Sequence, residues 1–424
     1  MKILFRCFLL CAFTLSIHVA HAQPRGIHLS WNGKKAKTSC TMAVTWLNDK
    51  AGRAEVMYGT DSLHLNKTKS ANVKYVAALS SNVNKATLKK LSAATYYYYK
   101  VGSDETGWSK IYKFRTAPAV GDNSKIVIGI WSDTQNNGGN YNFEQTDTIV
   151  KQLSKNSYYF TMHNGDIVEN GSVAKSWKDL FNVAQPINAN SPFMSVTGNH
   201  DVVNDTSSPI FQTPFPIFYE VMNLPNDQLN YSYDYGNTHF VAINSGWAEG
   251  AAKVGKVRFA KGSEEYNWLE KNLKKARKNK NIKWIIVYSH YPVYSFGFSH
   301  IPTWQAHIKP LVDKYKVDLY LAGHRHVYER HKAIRGSEVF EPTDAHVYDN
   351  PNGTIYITNG SCGGNLTGTG GQNQPDMIFT PKEKIYTYSI MTIEGGTITY
   401  NVFDKHGKQI DYFQVRKGSN NSPL

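Results

Sequence analysis

The sequence predicts two domains in tandem, a small all-β sandwich followed by a larger layered α/β domain with much parallel pairing. Three observations carry that prediction. Up to about residue 116, apolar residues come in short alternating runs cut by turn residues, the pattern of half-buried strands. After Ser124, continuous apolar runs alternate with amphipathic helical stretches, the pattern of strands covered on both faces. A chain of 424 residues, 41% hydrophobic and 19% charged, can bury two such cores without disulfide staples and is too apolar to be disordered.

Residues 1–22 stand outside this fold. Lys2 and Arg6 flank an apolar run from Ile3 to Val19 that ends in Ala20-His-Ala22, the pattern of an export signal cleaved after Ala22. No later stretch has the ~18 uninterrupted apolar residues of a membrane span. The mature chain is therefore expected to be soluble and secreted or periplasmic. Cys7 and Cys11 leave with the signal, and Cys40 and Cys362 remain, either paired or as two separate buried thiols.

The sandwich is assigned to residues 23–118, with strands read at 42–46, 54–58, 85–88, 95–101 and 110–114. A polar linker, Val120-Gly-Asp-Asn-Ser124, opens the second domain, residues 119–424. Buried strands are read there at 126–131, 158–162, 193–196, 239–243, 284–288, 319–322 and 354–358. Phe143, Ile149, Val150 and Leu153 fall near helical spacing, and Ser263 caps a helix carrying Leu269, Leu273 and Ala276 on one face. The lysines of 271–283 read as the solvated face of that helix, because no aromatics for base stacking are interleaved with them; no nucleic-acid partner is expected.

The formal charge of the whole chain is +14. Residues 23–118 hold 16 Lys+Arg against 5 Asp+Glu, whereas residues 119–424 hold 29 against 28. The basic excess belongs to the sandwich, which points to contact with an anionic surface or polymer rather than to a basic substrate cleft.

Five polar clusters follow five of the apolar runs, where a strand hands over to a loop and where open α/β sheets place their sites. They are Asp133-Thr-Gln135, Gly165-Asp166 through Gly171, Gly198-Asn-His-Asp201, His290-Tyr-Pro292 and Gly323-His-Arg-His326. Each alone is a common turn. Together they supply carboxylates, an amide and imidazoles without a thiolate, a donor set for two transition-metal ions rather than a cysteine-rich structural zinc. A carboxylate bridging two cations leaves room for a hydroxide nucleophile between them.

The order Asp-x-Gln, Gly-Asp-x4-Gly, Gly-Asn-His-Asp, His-x-Pro and Gly-His-x-His resembles the calcineurin-like metallophosphoesterases. Gly323-His-Arg-His-Val-Tyr-Glu-Arg330 is similar to the last motif of the purple acid phosphatases, and the block from Pro24 to Pro118 resembles the fibronectin type III-like domain that precedes their catalytic domain. The resemblance implies a layered α/β sandwich with two mixed sheets. It implies Asp133, Asp166 and His326 at a first metal, with Asp166 bridging to a second held by Asn199, His290 and His324. His200 is implied to bind the phosphoryl oxygen or protonate the leaving group, with Asp201 tuning its charge.

Two positions depart from that pattern. Glu169 stands where purple acid phosphatases place a tyrosinate, so neither the purple chromophore nor a fixed Fe(III) is expected, and Glu169 is read as a carboxylate behind the ligands or in the loop. At Gln135 the amide oxygen either completes the first metal's ligands or hydrogen-bonds behind them. Tyr294 and His300 fall where related phosphatases present substrate contacts, with surface roles as the alternative. Residues 202–230 are expected to arch over the cleft.

The expected function is a secreted phosphomonoesterase using two ions of Fe, Zn or Mn and a metal hydroxide, acting on phosphorylated small molecules or phosphoproteins. Phosphodiester or nucleotide pyrophosphate hydrolysis on the same core is the enzymatic alternative. An exported binding protein with an inactive second domain is the alternative from another class.

Overall fold

The computed structural model describes residues 23–135, 142–201, 216–226, 228–245, 259–296, 302–368 and 374–418. The first of these segments builds two facing sheets. One is ordered Arg25–Ser30, Thr41–Asn48, Ser81–Lys89, Asn72–Val76. The other is ordered Lys67–Ser70, Glu55–Gly59, Tyr96–Ser103, Gly107–Trp108, with Tyr112–Arg115 also paired to Tyr96–Ser103. All their pairings are antiparallel, and alternate side chains such as Tyr97, Tyr99 and Val101 turn inward.

Two mixed sheets form the rest. A seven-stranded sheet runs Phe193–Ser195, Phe160–His163, Ile126–Trp131, Thr387–Glu394, Thr397–Asp404, Gln409–Arg416, Val347–Asp349. Its first three strands are parallel, an antiparallel meander of three follows, and Val347–Asp349 closes the edge in parallel pairing. The second sheet has a parallel centre of Thr238–Ala242, Trp284–Tyr288, Leu319–Ala322 and Thr354–Asn359. Tyr231–Tyr235 flanks it on one side, and Tyr328–Arg335, Glu338–Phe340 and Met377–Phe379 on the other. The described helices are Glu144–Leu153, Ala174–Asn188, Pro216–Val221, Glu264–Lys278 and Pro302–Lys314. Ser263 caps the fourth, its hydroxyl accepting from the Tyr266 amide as expected.

Sandwich and α/β domain share one apolar cluster. Trp31 packs on Phe160, Tyr233 and Tyr235, and His28 stacks on Phe181 at 4.4 Å. Tyr99 Oη donates to the Ala189 carbonyl at 2.7 Å, and the Ile27 amide donates to Gln185 Oε1. Cys40 and Cys362 are both free thiols; Cys362 is buried beneath the Asp133 turn, where its sulfur accepts from the Ser132 amide. No described helix is long and apolar enough to cross a membrane.

The two mixed sheets are tied together by the Tyr-Glu-Arg segment that follows His326. Arg330 lies on the second sheet and Asp411 on the first, both buried, and they form a two-pronged ion pair: Nε to Oδ2 at 2.8 Å and Nη2 to Oδ1 at 3.0 Å. Tyr328 Oη donates to the same carboxylate at 2.7 Å, and the guanidinium lies 4.8 Å from the Phe413 ring.

Candidate functional site

Every ligand candidate leaves the C-terminal end of a strand on a tight turn. Asp133 follows Ile126–Trp131, Asp166 follows Phe160–His163, His290 follows Trp284–Tyr288, and His324 follows Leu319–Ala322. Three of these turns are left-handed, with φ of 56° at Asp133, 49° at Asp166 and 67° at His324. Side-chain-bearing residues hold such φ at a cost of ~1–3 kcal/mol each, and do so where surrounding structure fixes them. Here the Asp133 amide donates to the Gly165 carbonyl at 3.0 Å, and the His324 amide donates to Asp133 Oδ1 at 2.8 Å. His324 is thus on a left-handed turn, two residues before His326. The backbone comes close enough only where no side chain intrudes: a Cβ on Gly198 would lie 2.0 Å from Asp166 Oδ1, and one on Gly364 would lie 2.3 Å from His326 Cε1.

The side chains converge in two groups that share Asp166. Asp166, His290 and His324 bring ligand atoms within 4.8 Å of one another, and so do Asp133, Asp166 and His326. Asn199 joins the first group, its Oδ1 at 3.0 Å from His290 Nε2 and 2.9 Å from His324 Nδ1, which are 3.2 Å apart. Main-chain carbonyls set which ring nitrogen faces inward. Asn164 O takes the His290 Nδ1 proton at 2.9 Å, and Asn365 O takes that of His326 at 2.6 Å. Each ring then presents Nε2 as a lone pair.

This arrangement fits a pair of cations. His290 Nε2 faces Asn199 Oδ1 and, at 3.2 Å, Asp166 Oδ2, so acceptors confront acceptors unless positive charge lies among them. Protonation is the other way to supply that charge. Burial, the largest single influence, would lower the His290 pKa, but Asp166, Asp133 and the Asn164 carbonyl together outweigh it and raise it to about 9. Burial likewise pushes Asp166 upward, and His290, His200 and His324 together hold it below the usual carboxylate range. Metal ions replace these protons when they bind.

Gln135 is fully buried at the second group, beside Asp166 and His326. Its Nε2 lies 3.0 Å from Asp166 Oδ2 and 3.1 Å from His326 Nε2, while Oε1 has no partner among the described residues. Exchanging the two amide positions would put the oxygen against both ligands' inward atoms, the position of a further donor.

His200 stands at the mouth, its side chain 32% exposed, with Nε2 4.0 Å from Asp166 Oδ2. Its Nδ1 faces the Glu169 carbonyl at 3.0 Å and the Glu169 carboxylate at 3.5 Å. The Asp201 carboxylate turns instead to the amides of Ile167, Val168 and Gly198 at 2.8–3.1 Å, pinning the Asp166 loop to the Asn199 loop. Burial, and then Asp166, raise its pKa to about 7 despite those three donors. Orientation of His200 therefore falls to Glu169, the first of the two roles, behind the ligands or in the loop, that the sequence leaves open for it. Tyr294 is packed away among Tyr356, at 4.7 Å, and His331, and is not brought to either ligand group. His300 and residues 202–215 lie outside the described residues.

Three further contributors went unread in the sequence. His163 is fully buried behind Asp133, accepting from the Gly165 amide and bonding Thr134 Oγ1 at 3.1 Å. Asn164 supplies the carbonyl for His290. The loop after Thr354–Asn359 supplies Gly364, whose amide donates to the Asp133 carbonyl, and Asn365. Asn359-Gly-Ser-Cys-Gly-Gly364 has the same strand-to-loop pattern as the five clusters and was the available signal.

Residues 126–328 match the calcineurin-like phosphoesterase family. With the two ligand groups and the mixed sheets, that match defines a metallophosphoesterase, and the chain is a phosphoesterase enzyme. Residues 24–116 match the N-terminal domain of purple acid phosphatases. Acid phosphatase type 7 of Mus musculus is 27% identical over 417 residues, 92% of this chain and 90% of its own. Purple acid phosphatase 18 of Arabidopsis thaliana is 25% identical over 358 residues, 81% and 72% of the two chains. The structure of a purple acid phosphatase from yellow lupin (Lupinus luteus) seeds shares the fold at a TM-score of 0.78 and 20% identity, covering 94% of this chain and 75% of that one. The chain thus carries a calcineurin-like metallophosphoesterase domain preceded by a purple acid phosphatase N-terminal domain.

Proposed function

We propose that the protein is an exported binuclear phosphatase that hydrolyses phosphomonoesters. The observation that carries the reading is the pair of ligand groups joined at Asp166. Asp133, Asp166, His326 and the Gln135 amide would hold one cation, and Asp166, Asn199, His290 and His324 the other; the oxygen and nitrogen donors suit Fe, Zn or Mn. Two such ions supply Lewis-acid charge for the phosphoryl oxygens and lower the pKa of an attacking water. Carbonyls of Asn164 and Asn365 keep two imidazoles aimed inward. His200, with Nδ1 engaged by Glu169, has Nε2 free to meet a phosphoryl oxygen or deliver a proton to the leaving alkoxide. Asp201 fixes the loops that carry Asp166 and Asn199. Export rests on residues 1–22, and the monoester preference on the family resemblance. The Tyr-Glu-Arg segment adds nothing to that preference, because Arg330 is held by Asp411 between the sheets.

The test compares 4-nitrophenyl phosphate with its bis ester in metal-replete protein and counts metals in Asp166→Asn. A monoester preference with loss of metal from the variant is expected. A strong diester preference overturns the substrate assignment, and two metals per chain with full activity in Asp166→Asn overturns the site.

A further inference from the structure

A second cleft lies at the opposite end of the molecule's second sheet. It encloses about 510 Å³ between the sandwich and the α/β domain. Its walls are the 34–40 loop, the start of the segment that leads into Trp284–Tyr288, and the helix Glu264–Lys278. Ile282 lines the cleft before that strand, whereas His290 follows it. At ~3.3 Å per extended residue the two sites are on the order of 20 Å apart. The cleft is therefore separate from the ligand groups.

Its lining is chemically distinct as well. Lys34, Lys35 and Lys37 come from the sandwich and Lys275 from the helix. None of the four is paired with a carboxylate among the described residues. The lining carboxylate, Asp234, is already engaged by His239 Nδ1. His239 Nε2 in turn bonds Asn272 Oδ1 at 2.9 Å, and Asn272 Nδ2 donates to Ser232 Oγ at 2.7 Å. That chain fixes a polar wall and leaves the lysines as uncompensated positive charge. Trp268, half-buried, adds an aromatic surface to the same lining.

We infer that this cleft binds an anionic saccharide. Four ammonium groups supply long-range attraction for carboxylate or sulfate substituents. The indole supplies an amphipathic face for a sugar ring, and the volume lies within the ~300–1,000 Å³ range of small-ligand sites. Lysines alone would accept any polyanion; the aromatic and the amide wall single out a sugar. The cleft also gives the basic excess of the sandwich a place to act, because three of its lysines lie on one loop of that domain. Lys275 thereby leaves the purely solvated role that the lysine-rich helix suggested.

The experiment is calorimetric titration of the full mature chain with a sulfated hexasaccharide, a galacturonate hexasaccharide, neutral maltohexaose and linear polyphosphate. Saturable binding of the two anionic sugars is expected, weakening as salt rises, with maltohexaose at least tenfold weaker. Lys35→Glu/Lys37→Glu, on exposed loop positions, should weaken the anionic sugars at least tenfold while leaving kcat/KM for 4-nitrophenyl phosphate unchanged. Trp268→Ala should weaken the sugars at least fivefold and polyphosphate not at all. The inference is overturned by equal binding of maltohexaose, by polyphosphate binding as tightly as the sugars, by indifference to the lysine reversal, or by absence of saturable binding.

Discussion

Neutralising Asp411 should destabilise the whole α/β domain without changing which ester it prefers. In Asp411→Asn, the Arg330 guanidinium keeps its bonds to the Ala345 carbonyl and Tyr348 hydroxyl at 3.1 Å but loses both charged contacts, and Tyr328 loses its strongest acceptor. Removing one partner of a fully buried pair costs about 3–5 kcal/mol, because the remaining charge stays desolvated. At ~2.1 cal/mol/K per residue, a mature chain of this length has an unfolding entropy near 0.8 kcal/mol/K, so a 4 kcal/mol loss lowers Tm by about 5 °C. Replacing both partners, as Arg330→Met/Asp411→Leu, removes the stranded charge and should recover most of that loss. Calorimetry reads Tm, and the ratio of 4-nitrophenyl phosphate to bis-ester hydrolysis, measured well below Tm, reads selectivity. A Tm within 1 °C of wild type in Asp411→Asn would refute the structural role, and a selectivity change above about threefold would show that the Arg330–Asp411 pair acts on substrate choice.

Acid should weaken the fold through His163, whose pKa burial, reinforced by His290, pushes down to about 3. The unfolded chain takes up that proton first, so the stability is fully present above pH 6.5 and declines as pH falls from 6.5 towards 3. The loss is about 2 kcal/mol by pH 5. Denaturant titrations of wild type and His163→Gln at pH 7.5 and 5 should converge by that amount, and a pH-independent gap between them would exclude His163 as the cause. Gln135→Ala should lower affinity for one of the two cations by about 10- to 100-fold, read by chelator competition, and retention of both affinities within twofold would leave the amide as packing.

The parts of the fold that were legible are those whose burial is continuous. Strands Ile126–Trp131, Trp284–Tyr288 and Leu319–Ala322 coincide with the apolar runs read from the sequence, because the centre of each sheet is covered on both faces. The meander escaped for two reasons: Thr387–Glu394, though buried on both faces, is broken up by Thr and Ser, and Thr397–Asp404 and Gln409–Arg416 bury only alternate positions, which include Tyr400 and Asp411 as well as aliphatics. Helices Ala174–Asn188 and Pro302–Lys314 escaped because Pro186 and Pro310 sit inside them, where sequence rules expect a helix to end.

The site divides along a different line. Asp133, Asp166, Asn199, His290, His324 and His326 could be read because their chemistry resides in side chains at strand ends. What aims them could not, because it is supplied largely by the backbone. Carbonyls of Asn164, Asn365 and Glu169 fix the rings of His290, His326 and His200, and amides of Ile167, Val168 and Gly198 hold Asp201. Any residue type offers a carbonyl, so composition carries no trace of the role; only the left-handed turns and the absent Cβ atoms at Gly198 and Gly364 leave one. The same logic accounts for Asp201. A carboxylate one residue after His200 invites the reading of a charge partner, yet their separation in sequence says nothing about direction. At the Gly198–Asp201 turn the imidazole points to the mouth and the carboxylate to the floor. Its substitution should therefore act on metal retention through the loops it pins, with His200 still held by Glu169.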